Sequence, residues 1–237
     1  MTAVLAQALR LELRLQWRYG FLYAAAFSAL IWEVVVYLVP PQLKAASMTY
    51  IIFGDLALVG FFFIAGAVFF ERGERTLFAL LVSPLRFRDY YTAKLTALTA
   101  LSLLLSVVIA FSGVGADFEP LTFTAGVVLC ALLFLTCSFI SSTPFTSISE
   151  WIIPSTLVLA VLNVPLVNYS GLWEHPVTYL VPTQGVLLLM GHSFGQVDLA
   201  AWQWAYALAY PVAALAVLGL ISRKMFDRHI AASEGGE

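Results

Sequence analysis

Few residues in this sequence have the types and spacing that catalysis or metal binding requires. The three histidines, His175, His192 and His229, are widely separated, and no H-E-x-x-H pair occurs. Neither a G-x-x-x-x-G-K-S/T phosphate-binding loop nor a G-x-S-x-G nucleophile motif is present in the chain. We therefore expect no catalytic residue, no metal site, no bound cofactor and no ATP hydrolysis by this chain itself.

Three strongly polar side chains lie within long apolar runs: Glu33, Asp55 and Asn163. A carboxylate inside a membrane is energetically costly unless it is paired or hydrated, so such residues often line a polar pathway. We treat all three as candidate pathway residues. For Glu33, the equally acceptable alternative is a position near the outer boundary, where its carboxylate reaches lipid headgroups.

The main polar segment of the chain is residues 71–94, ERGERTLFALLVSPLRFRDYYTAK, which we call the polar island. It holds five of the twelve Lys/Arg residues and lies between two long apolar runs. Within it, Leu77, Leu80 and Leu81 share one face of a short helical pattern that Pro84 terminates. This helix could rest on lipid headgroups or dock into a groove on a soluble partner protein.

The elements around these residues are predicted by hydropathy. Apolar residues make up 61% of the chain and charged residues 11%, whereas a soluble domain contains about 25% charged residues. At roughly 20 residues per span, the chain predicts an all-α membrane protein with six transmembrane helices. The predicted spans are residues 21–39, 48–70, 95–112, 121–142, 151–167 and 199–221. We expect Pro154 and Pro165 to kink or break the fifth span.

The two ends of the chain differ from the spans between them. Residues 1–19 combine an apolar face with a stripe formed by Arg10, Arg14 and Arg18, which predicts an amphipathic helix at the membrane interface. We expect residues 20–222 to form the transmembrane domain and residues 223–237 to form a cytoplasmic tail. The composition offers no basic surface for nucleic acid, and membrane lipid is the expected environment.

Residues 168–198 form a second unusual segment. Residues 177–190 are apolar but too short to cross a bilayer, and Pro182, Thr183 and Gln184 interrupt them. We predict a re-entrant hairpin of two short helical legs before the sixth span, with Thr183 and Gln184 satisfying polar groups at the break. Pro182, Thr183 and Gln184 are candidate outer-gate residues. The alternative is a rigid surface cap with no part in transport.

Basic residues predict the orientation of the chain. Eleven of the twelve Lys/Arg residues lie in the N-terminal segment, the polar island and the C-terminal tail, and only Lys44 lies on the opposite side. Since basic residues accumulate on the cytoplasmic side, we expect a multi-pass protein of the cell membrane with both termini in the cytoplasm.

The polar island resembles the loop between the second and third spans of ABC-2 type permeases, whose approximate pattern is E-x-G-T-L-x-x-L-x-x-x-P. The pair Glu74–Arg75 is inserted here between the Gly and Thr of that pattern. In the family this loop carries a coupling helix that sits on a separate ATP-hydrolysing subunit. The resemblance implies coupling residues Glu71, Arg72, Gly73, Thr76, Leu77, Leu80, Leu81, Ser83 and Pro84.

The same resemblance implies partners and a function. It implies an ABC ATPase subunit that binds ATP and Mg²⁺, and a second permease half that is either identical or paralogous. The run YLVPTQ at residues 179–184 also resembles the drug-exporting branch, which includes fluoroquinolone exporters. The implied function is export of an apolar or amphipathic substrate, a drug or a lipid-like molecule, by alternating access. Alternatives are an intramembrane lipid-modifying enzyme and a membrane assembly or immunity protein that transports nothing.

Overall fold

The computed structural model describes residues 3–74, 76 and 86–231 of the chain. In this part of the chain all regular structure is helical. The α-helices are α1 (Ala3–Arg18), α2 (Phe21–Leu38), α3 (Lys44–Gly73), α4 (Phe87–Val114), α5 (Pro120–Ser142), α6 (Ile148–Tyr169), α7 (Thr183–Ser193) and α8 (Ala201–Phe226). Short 3₁₀ turns cover Pro41–Leu43 and Pro176–Leu180, and a single π-helical turn covers Asp227–Ala231.

Six of these helices, α2, α3, α4, α5, α6 and α8, are long and apolar enough to cross a membrane. The prediction of an all-helical protein with six candidate spans is therefore confirmed. The fifth span is a single helix from Ile148 to Tyr169 that contains Pro154 and Pro165, so the predicted break does not occur. A proline removes one backbone hydrogen bond, and packing within a membrane protein tolerates that loss.

The centre of the bundle is the contact between α3 and α5, with α4, α6 and α7 packed around it. Gly60 on α3 lies where these two helices meet, and a Cβ atom there would be 3.3 Å from Phe134 Cβ. Beside this contact, the ring of Phe61 stacks on Trp151 with 5.6 Å between centroids. Because the indole of Trp151 is buried, its Nε1–H donates to Ser141 Oγ at 3.0 Å.

The short helix α7 is inserted into the bundle, where it packs against α5, α6 and α8. Nearly all its side chains are buried. Glycines on α5 and α7 allow this close packing: a Cβ at Gly126 would be 2.8 Å from Met190 Cγ, and one at Gly185 would be 3.0 Å from Ala207 Cα. The apolar segment before the last span thus consists of two short helical legs, Pro176–Leu180 and α7, which are joined at Val181 and Pro182.

Helix α1 turns two polar residues towards the protein, and its outer surface carries both the arginines Arg10, Arg14 and Arg18 and large apolar residues. Ala8, Glu12 and Gln16, spaced four residues apart, are buried against α4 and α2, whereas Leu13 and Trp17 are exposed. The predicted arginine stripe is therefore exposed on the outer side of α1.

We expect single-cysteine labelling to report the predicted orientation. In a background lacking Cys130 and Cys137, Lys44→Cys and Asp117→Cys should react with a membrane-impermeant maleimide added to intact cells. Arg86→Cys should react only after the cells are opened, because the distribution of basic residues predicts a cytoplasmic polar island. Labelling of Arg86→Cys in intact cells would contradict the orientation.

Candidate functional site

The base of the polar island contains a buried group of charged residues, Glu12, Glu71, Tyr90 and Lys94, which we call the Lys94 cluster. The Lys94 side chain has no solvent exposure. Its Nζ lies 2.6 Å from Glu71 Oε1 and 3.0 Å from Glu12 Oε1. One ammonium group therefore joins carboxylates from two other helices, α1 and α3.

Tyr90 completes the cluster from one helical turn before Lys94 on α4. Its hydroxyl donates to Glu71 Oε2 at 2.6 Å, so both oxygens of Glu71 have partners. The ring of Tyr90 also lies 5.0 Å from Lys94 Nζ, which is within the range of a cation–π contact. Each carboxylate of the cluster thus contacts the shared ammonium, and Tyr90 adds a neutral donor to Glu71, as buried charges require hydrogen-bonding partners.

The cluster brings together residues that are far apart in sequence because three helices converge there. Glu12 lies on the buried face of α1, Glu71 lies near the end of α3, and Lys94 lies near the start of α4. Burial raises the pKa of Glu12, and the Lys94 ammonium opposes that shift. The position of α1 therefore depends on a charged contact with the two ends of the polar island.

Arg72 connects the polar island to a different part of the bundle. Its guanidinium donates to the backbone carbonyl of Thr143 at 2.7 Å and to that of Phe145. These carbonyls lie in the turn between α5 and α6. An arginine can satisfy two carbonyl acceptors at once because its donors form a fixed fork.

Glu74, the residue that follows α3, forms hydrogen bonds with residues at the end of α1. Its carboxylate oxygens accept from Arg18 Nη2 at 2.9 Å and from the Tyr19 hydroxyl at 3.0 Å. Burial and the Glu74 carboxylate raise the pKa of Tyr19 to about 12, so this hydroxyl remains a donor at neutral pH. The Tyr19 ring stacks on Phe70 with 5.2 Å between centroids.

The predicted coupling residues divide into two groups in the structure. Glu71, Arg72, Gly73 and Thr76 are described, and the Thr76 hydroxyl donates to the carbonyl of Glu71 at 3.0 Å. The remaining predicted residues lie outside the described part of the chain: Leu77, Leu80, Leu81, Ser83 and Pro84. The structure thus defines where the predicted coupling segment is attached.

The three candidate pathway residues do not meet at one place. Asp55 is fully buried and accepts from Ser28 Oγ at 2.8 Å, so its carboxylate faces α2. Asn163 donates to the carbonyl of Leu159 on its own helix at 2.7 Å and lines a groove of about 440 Å³ between α3 and α6. Glu33 is half-buried, and its Oε1 has no hydrogen-bond partner among the described residues.

The candidate outer-gate residues hold the start of α7 against α6. The Thr183 hydroxyl donates to the carbonyl of Leu162 at 2.7 Å, and Gln184 Nε2 donates to Asn168 Oδ1 at 3.3 Å. Pro182 immediately precedes the first residue of α7. The two polar side chains therefore satisfy groups of the neighbouring helix at the break between the two legs.

Sequence reasoning missed Glu12, Tyr90 and Lys94 as members of one site. The sequence does contain a signal, because Glu12 and Gln16 are spaced by one helical turn and are neither apolar nor part of the arginine stripe. In the sequence, Lys94 is distinguished only as the last basic residue of the polar island. Its burial depends on α1 covering it, which hydropathy does not show.

The described residues thus form a helical bundle with six candidate membrane spans and a buried charged cluster at one end. The chain belongs to the fluoroquinolones export permease protein family, whose model matches residues 3–234. It is 47% identical over 232 residues to the fluoroquinolones export permease proteins of two Mycobacterium tuberculosis strains, CDC 1551 / Oshkosh and ATCC 25618 / H37Rv. The match covers 98% of this chain and 98% of each relative. No solved structure matches the chain significantly.

Removing the ammonium from the Lys94 cluster should destabilise the protein strongly. Lys94→Met leaves Glu12 and Glu71 buried without their counterion, which should lower the free energy of unfolding by about 3–5 kcal/mol. Thermal unfolding of the purified protein in a nonionic detergent measures this loss as a lower midpoint temperature.

Two variants serve as controls for this measurement. Glu74→Gln removes a partly exposed ion pair and should cost less than about 1 kcal/mol. The triple variant Glu12→Gln, Glu71→Gln, Lys94→Met removes all three charges and should recover much of the stability lost in Lys94→Met. Equal midpoints for the wild type and Lys94→Met would contradict the account of the cluster as a compensated buried charge.

Proposed function

We propose that this chain is the membrane subunit of an ATP-driven ABC-2 type exporter, and that the polar island is its coupling segment. In this proposal a helix within residues 76–82 docks on a separate ATPase subunit, which binds ATP and Mg²⁺. The observation that carries the proposal is the attachment of the polar island: Glu71 and Lys94, its first and last residues, are paired at 2.6 Å.

A docking segment can transmit movement only if its ends are fastened to the elements that must move. The Glu71–Lys94 pair closes the polar island at its base and links α3 to α4. Glu12 adds α1 to the same unit, and Arg72 adds the turn between α5 and α6. A displacement of the docked segment would therefore reach four spans through short polar contacts.

Substrate and mechanism follow from the family and from the spans. The curated relatives are named for fluoroquinolone export, and we propose an apolar or amphipathic drug as the substrate of this chain. Two permease halves, identical or paralogous, would enclose the pathway between them. ATP-driven closure of the ATPase subunits would then open the pathway alternately to the cytoplasm and to the outside. Both termini lie in the cytoplasm in this arrangement.

Charging the predicted docking face should abolish coupling. Leu80→Asp places a carboxylate in an apolar groove of the partner, at a cost on the order of several kcal/mol of docking free energy. Drug export should cease, and ATPase activity should fall to that of the ATPase subunit alone. The measurement is ATP hydrolysis and dye efflux in vesicles that contain both subunits.

The matched control is Leu80→Met, which keeps an apolar side chain of similar volume and should retain export. Both variants should insert into the membrane at the wild-type level, as judged by immunoblot of the membrane fraction. Normal export by Leu80→Asp would show that the polar island does not couple the two subunits.

Arg72 should be needed for transmission rather than for docking. Arg72→Gln cannot hold the carbonyls of Thr143 and Phe145 together. We expect export to fall by about tenfold, a change that corresponds to roughly 1.4 kcal/mol, while co-purification with the ATPase subunit is preserved. Arg88→Gln removes an equal charge from an exposed residue of the polar island and should have little effect. A larger loss in Arg88→Gln than in Arg72→Gln would contradict this role.

A further inference from the structure

A cavity of about 720 Å³ opens at the end of the bundle opposite the Lys94 cluster. Small-molecule sites typically have volumes of ~300–1,000 Å³, so the cavity is large enough for a drug-sized molecule. Its walls come from the end of α6, the leg Pro176–Leu180, the first turns of α7 and the start of α8. Leu188, one turn beyond Gln184, forms part of its deep wall.

Aromatic side chains dominate the walls of this cavity. Tyr169, Tyr179, Trp202 and Tyr206 all line it. The centroid of Tyr179 lies 5.2 Å from that of Tyr206 and 5.8 Å from that of Trp202, in tilted arrangements. The Tyr206 hydroxyl donates to the carbonyl of Tyr179 at 2.7 Å, which fixes α8 against the shorter leg. Such aromatic walls can stack with a planar ring and attract a cation.

Two acceptor groups lie within the same aromatic walls. Gln184 is 1% exposed and lines the cavity, and its Oε1 has no hydrogen-bond partner among the described residues. One N–H of its Nε2 donates to Asn168 Oδ1 at 3.3 Å, and the amide oxygen remains as an acceptor for a ligand. Glu174 supplies an exposed carboxylate at the mouth of the cavity, where no ion-pair partner is found within the described residues.

The surrounding surface has the charge that would favour a cationic ligand. Residues 39–44, 115–119 and 170–200 lie at this end of the bundle, and Lys44 is their only Lys or Arg residue. The acidic residues of the same segments are Asp117, Glu119, Glu174 and Asp198. A face with this imbalance attracts cations and repels anions over distances of about a Debye length, ~8 Å at physiological salt.

We propose that this cavity binds a planar aromatic organic cation, with its ring against the tyrosine and tryptophan walls. Its charged nitrogen lies near Glu174, and a donor group of the ligand meets Gln184 Oε1. The cavity is thus a substrate site on the release side, an assignment of role that rests on the proposed export function. The volume favours a molecule with several fused or linked rings over a trimethylammonium headgroup, which would fill only a small part of it.

Equilibrium binding to the purified permease in a nonionic detergent tests the proposal without the ATPase subunit. Rhodamine 6G, a fluorescent aromatic cation, should bind saturably by fluorescence anisotropy. Fluorescein, an anion with the same ring system, should not bind. Glu174→Gln should weaken rhodamine 6G binding by about tenfold, since the carboxylate partner of the cation is lost. Gln184→Leu should weaken binding of the same dye severalfold.

Asp117→Asn is the matched control, because it removes one negative charge from the same face without altering the cavity. It should leave the dissociation constant of rhodamine 6G unchanged. Equal effects of Glu174→Gln and Asp117→Asn would overturn the proposal, as would equal affinity for fluorescein. A large excess of choline should not displace the dye, and displacement would instead assign the cavity to a lipid headgroup.

The binding measurements and the export measurements test separate proposals, and either proposal can be contradicted without the other. Saturable rhodamine 6G binding that depends on Glu174 would support the cavity even if Leu80→Asp still exports drug. Absence of saturable binding would remove the cavity as a substrate site and leave the coupling proposal intact.

Discussion

The structure depends on burial of one ammonium group between two carboxylates. Lys94 has no contact with solvent, and Glu12 and Glu71 are its only anionic partners within the described residues. Because an unpaired charge at this depth would be strongly unfavourable, α1, α3 and α4 must keep a fixed relation to one another. The same contact holds together the two ends of the polar island. Helix α1 is thereby part of the bundle, although its outward side carries exposed apolar residues.

The spans could be predicted from the sequence because the bilayer limits what can cross it. A crossing helix needs a long apolar run, and hydropathy alone identifies the runs that begin near Phe21 and Met48. The same reasoning identified the short apolar segment before the last span as unable to cross. At Pro154 and Pro165 it allowed either a kink or a break, and the structure excludes the break because α6 is one continuous helix.

The contacts between distant residues could not be predicted in this way. Lys94 and Glu12 are 82 positions apart, and neither position carries a periodic signal that points to the other. The burial of α7 depends on Gly126 and Gly185, which matter only because of the side chains opposite them. Asp55, Glu33 and Asn163 were grouped by their chemical type and shared apolar surroundings. Their side chains face different neighbours, because residue type does not determine which side of a helix a side chain occupies.

The separation between Glu12 and Lys94 along the chain has a consequence for biogenesis. Helix α1 is synthesised before the two candidate spans α2 and α3, and Lys94 on α4 follows them. Until then, Glu12 lacks its ammonium partner, and the surface of α4 against which it is buried is absent. The docking of α1 on α4 therefore follows the synthesis of these two spans. The order of synthesis makes closure of this contact a late event in the maturation of the protein.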